Sequence, residues 1–78
     1  MAYLNTPLRP LQDEITALRR MYPKGTRVRL LRMDDMQAPP VGTKGTVIYV
    51  DDIGTIHVRW DTGSSLGLIA GEDEFEVV

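Results

Sequence analysis

Residues 44–60, KGTVIYVDDIGTIHVRW, decide the fold. Two runs rich in β-branched and aromatic residues, 44–52 and 55–60, meet at Asp51-Asp52-Ile53-Gly54. Such runs suit a pleated, half-buried surface, and a short acidic turn ending in glycine supplies the positive φ of a tight hairpin. In the second run Ile56, Val58 and Trp60 share one face by period 2, while Thr55, His57 and Arg59 take the other. In the first run either Val47 and Tyr49 or Ile48 and Val50 face inward, because a bulge in a curved strand shifts the alternation. Val47 and Tyr49 are the expected inward pair.

Working outward, Asp61-Thr62-Gly63 repeats the turn chemistry before SSLGLIA (64–70), and Gly71-Glu72-Asp73-Glu74 turns again before FEVV closes the sequence given. On the other side, TRVRLLRM (26–33) sets Val28 and Leu30 on one face and Arg27, Arg29 and Leu31 on the opposite one. The connecting stretch DDMQAPPVGT (34–43) is a long loop in which Pro39-Pro40 blocks ladder pairing. Gly42 and Gly45 permit a bend into a tightly curved strand. Five short strands with regularly spaced turn signals predict a mainly β fold, a five-stranded small barrel with a short N-terminal α-helix. The predicted core is Val28, Leu30, Val47, Tyr49, Ile56, Val58, Trp60, Leu66 and Leu68, with Phe75 closing one end.

Upstream of Pro23 the period changes to that of a helix. Leu11, Ile15, Leu18 and Tyr22 fall on one face, so residues 7–22 form an amphipathic helix, opened by Thr6-Pro7 or at Pro10 and ended by Pro23. Residues 1–6 carry no pattern and are expected to be flexible, and 24–78 form the barrel. So short a helix is marginal alone. Its apolar face therefore packs on an open end of the barrel or on another chain, which leaves monomer and helix-mediated homodimer both open.

Seventy-eight residues make one domain, and 42% hydrophobic with 26% charged residues excludes wholesale disorder. The absence of cysteine excludes disulfides and thiolate metal sites. No apolar run approaches the roughly 20 residues of a membrane span, and a cytoplasmic location is expected. Net charge is −2, but residues 1–33 carry +5 and residues 34–78 carry −7. Such asymmetry marks either a nucleic-acid face or basic and acidic segments that neutralise each other in the fold.

The segment VGTKGTVIYVDD resembles KOW-type and related SH3-like modules, in which a Gly-x-x-Gly-x-Val turn feeds the second strand. The order Gly-Thr-Val, hairpin, Val-x-Trp-Asp-x-Gly is similar to a small domain of certain ubiquitin ligases. More closely, YPKGTRVRLLRMDD, APPVGTKGTV, DDIGTIHVRWDTGSSLGLI and GEDEF resemble a family of small bacterial proteins known only as a domain of unknown function. Its members occur largely in phages, plasmids and conjugative elements. The resemblance spans about residues 22–76, leaves most of the helix outside, and implies an SH3-like barrel without implying an activity.

Among the residues that could carry chemistry, GTKGT lacks the spacing of a phosphate loop and has no helix behind it. Asp34-Asp35 and Asp51-Asp52 are turn caps, since adjacent strand residues point to opposite faces. His57, the only histidine, belongs on the solvated strand face. Ser64 and Ser65 have no evident activating base. No catalytic residue, metal site or cofactor is expected, and the chain reads as a non-enzyme.

The preferred reading is a protein-binding module. Its candidate contacts are Met33, Met36, Pro39 and Pro40 in the long loop, and Trp60 with Asp61 at the rim. Trp60 also serves as a core plug, and Asp61 as a turn cap accepting backbone hydrogen bonds. The first alternative is nucleic-acid binding through a basic stripe of Arg19, Arg20, Lys24, Arg27, Arg29 and Arg32. The acidic pI of 5.2 stands against it. The second alternative is an acidic inhibitor or regulator of a host protein, encoded by a mobile element, whose carboxylates imitate nucleic acid.

Overall fold

The structure, a computed structural model, describes residues 12–78. Helix α1 (Gln12–Met21) is followed by strands β1 (Arg27–Arg32), β2 (Lys44–Val50), β3 (Thr55–Trp60), β4 (Leu68–Ile69) and β5 (Glu74–Val77). The expectations for residues 1–6, for Thr6-Pro7, and for the helix before Gln12 lie outside the described residues.

All strand pairs are antiparallel, in the order β4-β3-β2-β1-β5. A flat sheet of five strands would hold its edges about 19 Å apart. Yet β4 and β5, the two edges, are joined by residues 70–73 alone, which fold into a turn with the Glu72 and Asp73 amides on the Ile69 carbonyl at 3.0 and 2.9 Å. So short a connection cannot cross a flat sheet, and the sheet therefore curls into a small barrel. A bridge between Ala70 and Asp73 sits at the seam.

The interior is filled by Val28 and Leu30 of β1, Val47 and Val50 of β2, Ile56, Val58 and Trp60 of β3, and Leu68 of β4. Tyr49, expected inside, is instead 53% exposed. The cause is a register shift between Val47 and Tyr49, where Ile48 is the extra residue: Val47 pairs with Val58, Tyr49 with His57 and Val50 with Ile56. The bulge turns Tyr49 outward and delivers Val50 to the core. Leu66 and Phe75, expected inside, are only half-buried, and Phe75 packs at the margin of the core.

At Gly45 the barrel is tightly packed. A Cβ there would lie 2.6 Å from Val58 Cγ1 and 2.8 Å from Trp60 Cε3. Only a residue without a side chain lets β2 cross beneath the indole. In the β2–β3 turn, Gly54 has φ 89°, a conformation that glycine adopts without strain.

Helix α1 covers the barrel. Ile15 is 2% exposed, and Leu18 and Tyr22 pack at the core margin, with the Tyr22 ring 5.3 Å from that of Phe75. Arg19 pins the helix to β2, donating from Nε to the Val50 carbonyl at 3.1 Å and from a terminal nitrogen to Asp52 at 2.9 Å. Asp13 and Glu14 in the first turn and Arg19 and Arg20 in the last complement the helix dipole. Of the two placements open to the apolar face, Ile15, Leu18 and Tyr22 take the barrel. No helix among the described residues is long and apolar enough to cross a membrane.

Candidate binding cleft

Trp60, expected at the rim as well as in the core, is only 1% exposed and lies wholly in the core. Its indole N–H donates to the Leu66 carbonyl at 2.8 Å, which satisfies the one polar atom of the ring. A ring so placed offers no surface to a partner. Asp61 does not cap its turn through backbone amides. It receives a two-pronged hydrogen bond from Arg27, at 2.9 and 2.7 Å. The bond holds the Asp61 carboxyl below its usual range against a smaller effect of burial, with the Arg27 and Lys44 charges adding to the shift. The same bond raises Arg27.

The long loop divides. Met33 packs at the core margin and Pro39 is buried, whereas Met36 and Pro40 are exposed, Met36 fully. Pro39 is thus withdrawn from contact, Met33 is partly covered, and Met36 and Pro40 are open.

The basic stripe is broken up by ion pairs with the acidic half of the chain. Arg19 meets Asp52, Arg27 meets Asp61, and Arg29 meets Glu76 at 2.8 Å. Arg32 reaches Glu74 at 3.4 Å. Pairing of β1 with β5 places Arg29 opposite Glu76 and Arg32 opposite Glu74, so the charge asymmetry along the chain is cancelled strand against strand. Arg20 and Lys24, near the end of α1, take part in no ion pair among the described residues.

A cleft of about 510 Å³ opens where the end of β1 faces β4 and the turn to β5. Met33, Leu66, Gly67 and Ile69 supply its apolar lining, or floor, and its polar lining comes from two chain segments, or walls: Arg32, Asp34 and Asp35 at the end of β1, and Glu72 and Asp73 in the turn to β5. Two of its four carboxylates have structural work. Asp35 accepts the Gln37 amide at 2.7 Å, and Asp73 accepts the Ile69 amide at 2.8 Å. Asp34 and Glu72 are exposed, and their carboxylates form no hydrogen bond or ion pair among the described residues. No group of three or more His, Cys, Asp and Glu side chains among the described residues could hold a metal ion. Of the cleft residues, the sequence marks only Met33 and Arg32 as candidate contacts, in separate readings; Leu66 reads as core and the rest as turn and strand positions. It is the curl of the sheet that brings positions 32–35 beside 66–73, and no local pattern announces it.

Residues 11–78 match the family described as Domain of unknown function (DUF4314). The chain belongs to that family. The match takes in α1 as well as the barrel, further than the sequence motifs reach. No curated protein and no solved structure matches the chain.

One further cluster of this family member lies on the outer sheet face. His57, expected to be solvated, is half-buried, its ring stacked on Tyr49 with centroids 4.4 Å apart and planes 3° from parallel. Its Nε2 is 2.8 Å from Asp51 Oδ2. Burial pushes the Asp51 carboxyl up, but the bond to His57 and the Thr55 and Ile53 amides on Oδ1 outweigh it and bring the net shift below the usual range. An ionised carboxylate only accepts, so Nε2 carries the proton. The Asp51–Asp52 turn cap expected from sequence is therefore Asp51 alone, which ties the hairpin turn to the outer face.

Proposed function

We propose that the domain is a non-catalytic interaction module that seats a segment of another protein in the cleft between residues 32–35 and 66–73. The observation that carries the reading is an apolar floor of Met33, Leu66 and Ile69 in an open cleft, with Ile69 46% exposed. A cleft of this volume is within the range of ligand sites, and it combines apolar area with a few polar groups at its walls. The exposed Met36 and Pro40 in the same loop extend the contact surface.

A non-catalytic role is supported by the lining. It holds no serine, histidine or lysine, and the sole histidine is engaged by Asp51 and Tyr49 on another face. Nucleic-acid binding by the stripe draws less support, since four of its six cations each hold a carboxylate. The setting implied by the sequence resemblance, a bacterium or its mobile elements, suits either an adaptor or an acidic regulator of a host protein.

The test is site-specific photo-crosslinking in producing cells. A benzophenone side chain replaces Ile69 on the cleft floor or, as control, Thr62 in the exposed β3–β4 turn. A discrete, nuclease-resistant protein adduct from position 69 and not from 62 is expected. Adducts to nucleic acid alone, or none at 69, would overturn the proposal.

A further inference from the structure

Resting on that reading, we propose that the occupant of the cleft is a polypeptide presenting an arginine or lysine, its methylene stem on the apolar floor and its charged head between Asp34 and Glu72.

The cleft joins two properties that seldom suit the same ligand group. Its floor, Met33, Leu66 and Ile69, favours hydrocarbon, with Ile69 46% exposed. Its walls carry four carboxylates against one cation, Arg32, and that guanidinium is directed to Glu74, which does not line the cleft. An aliphatic side chain would cover the floor and leave the walls unmatched. An anionic group would be repelled by both walls. Arginine and lysine alone among the side chains carry a long hydrocarbon stem with a cation at its tip.

The partition of the carboxylates favours the same occupant. On the sheet and at its turns, Asp51, Asp52, Asp61, Glu74 and Glu76 each meet a basic side chain of this chain. At the cleft, Asp35 and Asp73 are engaged by backbone amides, which do not cancel their charge. Asp34 and Glu72, one on each wall, remain without a partner among the described residues. Complementary charge is therefore to be supplied from outside, at a place where an apolar floor fixes how it enters. A guanidinium suits two flanking carboxylates better than an ammonium, because its planar fork donates in more than one direction.

The experiment uses the whole chain, labelled with nitrogen-15, and three blocked tripeptides: acetyl-Gly-Arg-Gly-amide, the norleucine analogue and the glutamate analogue. Saturable shifts of the Asp34, Gly67, Ile69 and Glu72 amide resonances with the arginine peptide are expected. Affinity should fall about tenfold in the Asp34→Asn, Glu72→Gln variant and fall again at high salt. Both positions are exposed and unpaired, so the variant keeps its fold, which its remaining resonances report. The charge-reversed variant Asp34→Lys, Glu72→Lys should instead take the glutamate peptide. If the norleucine peptide binds the cleft as well as the arginine peptide, the cationic occupant is wrong while the interaction module stands. If no peptide moves the cleft resonances and position 69 gives no protein crosslink, both fall.

Discussion

The indole nitrogen of Trp60 and the carbonyl of Leu66 lie 2.8 Å apart, and this bond ties the last residue of β3 to the segment that leads into β4. It spans a turn of irregular backbone, residues 61–67, which is held at its start by the Asp61 amide on Lys44 O and the Arg27–Asp61 pair, and further on by the Trp60 amide on Ser64 O, the Gly63 amide on Trp60 O and the Leu66 amide on Ser64 Oγ. Leu66 and Gly67 form part of the cleft floor, so the core tryptophan, through its bond to Leu66, helps set the position of that floor without lining the cleft itself. Replacing Trp60 by Phe removes the donor and leaves the Leu66 carbonyl unmatched, a loss of about 1–3 kcal/mol. Replacement by Ala adds a cavity and costs about 3–5 kcal/mol. Urea unfolding measures both, and a Trp60→Ala protein as stable as the parent would remove the ring from the core.

Gly45→Ala tests how tightly β2 lies under that ring. The added methyl meets Val58, Trp60 and, at 3.0 Å, the Arg59 carbonyl, two of the three being core side chains with no room to turn. Overpacking of this kind costs about 1–3 kcal/mol. At Gly67 the corresponding contact is Thr55 Cγ2 at 2.6 Å, with the Ile56 carbonyl at 3.5 Å. Thr55 is only half-buried and can rotate. Gly67→Ala should therefore destabilise less than Gly45→Ala, a ranking that thermal melts of the two variants decide.

The Arg27–Asp61 pair gives a pH signature with a definite sign. Asp61 is held below its ordinary 3.8 by the Arg27 hydrogen bonds. A carboxyl depressed on folding stabilises the native state while ionised, and that contribution is lost as pH falls through the ordinary value toward the folded one. Asp61→Asn should be less stable than the parent at neutral pH, with the difference closing below about pH 4. Melting curves of both proteins across acid pH check this. A constant difference down to acid pH would mean that the pair contributes through packing alone.

Tyr49 and His57 should be energetically coupled, because the bulge after Val47 is what brings their rings into register. A double-mutant cycle with Tyr49→Ala and His57→Ala is expected to give a coupling of about 0.5–1.5 kcal/mol in stability. Zero coupling would make the stack incidental.

These residues also mark how far the sequence could be read. Period-2 alternation placed Val28, Leu30, Ile56, Val58 and Trp60 correctly, because those strands lack a bulge at the residues concerned. It misplaced Tyr49, since one extra residue reverses the alternation and a bulge has no sequence mark of its own beyond the curvature it serves. Arg27 and Arg29 sat on one strand face as expected, but their partners Asp61 and Glu76 are 34 and 47 residues away in the chain. Which of two oppositely charged segments lies beside the other depends on strand order, and strand order is long-range. The cleft was illegible for the same reason. Met33 could be singled out as an apolar residue in a loop, whereas Leu66, Ile69 and Glu72 looked like ordinary strand and turn positions until β4 curled toward the end of β1.

The paired cations make a last prediction about nucleic acid. Asp52→Asn, Asp61→Asn, Glu74→Gln and Glu76→Gln together release Arg19, Arg27, Arg29 and Arg32 and take the formal net charge from −2 to +2. Exposed ion pairs contribute little to stability, so the variant should fold, with a modestly lower melting temperature. If the parent chain is indifferent to phosphate because its stripe is neutralised internally, it should fail to retain duplex DNA even at low salt, whereas the variant should retain it. Binding by the variant should weaken steeply as salt rises, since freed arginines act by releasing counterions. Gel-shift titration across salt concentrations distinguishes the cases. Binding of DNA by the parent, with a similar salt slope, would show that the carboxylates do not neutralise the stripe and would return Arg19 to Arg32 to the front as a nucleic-acid surface.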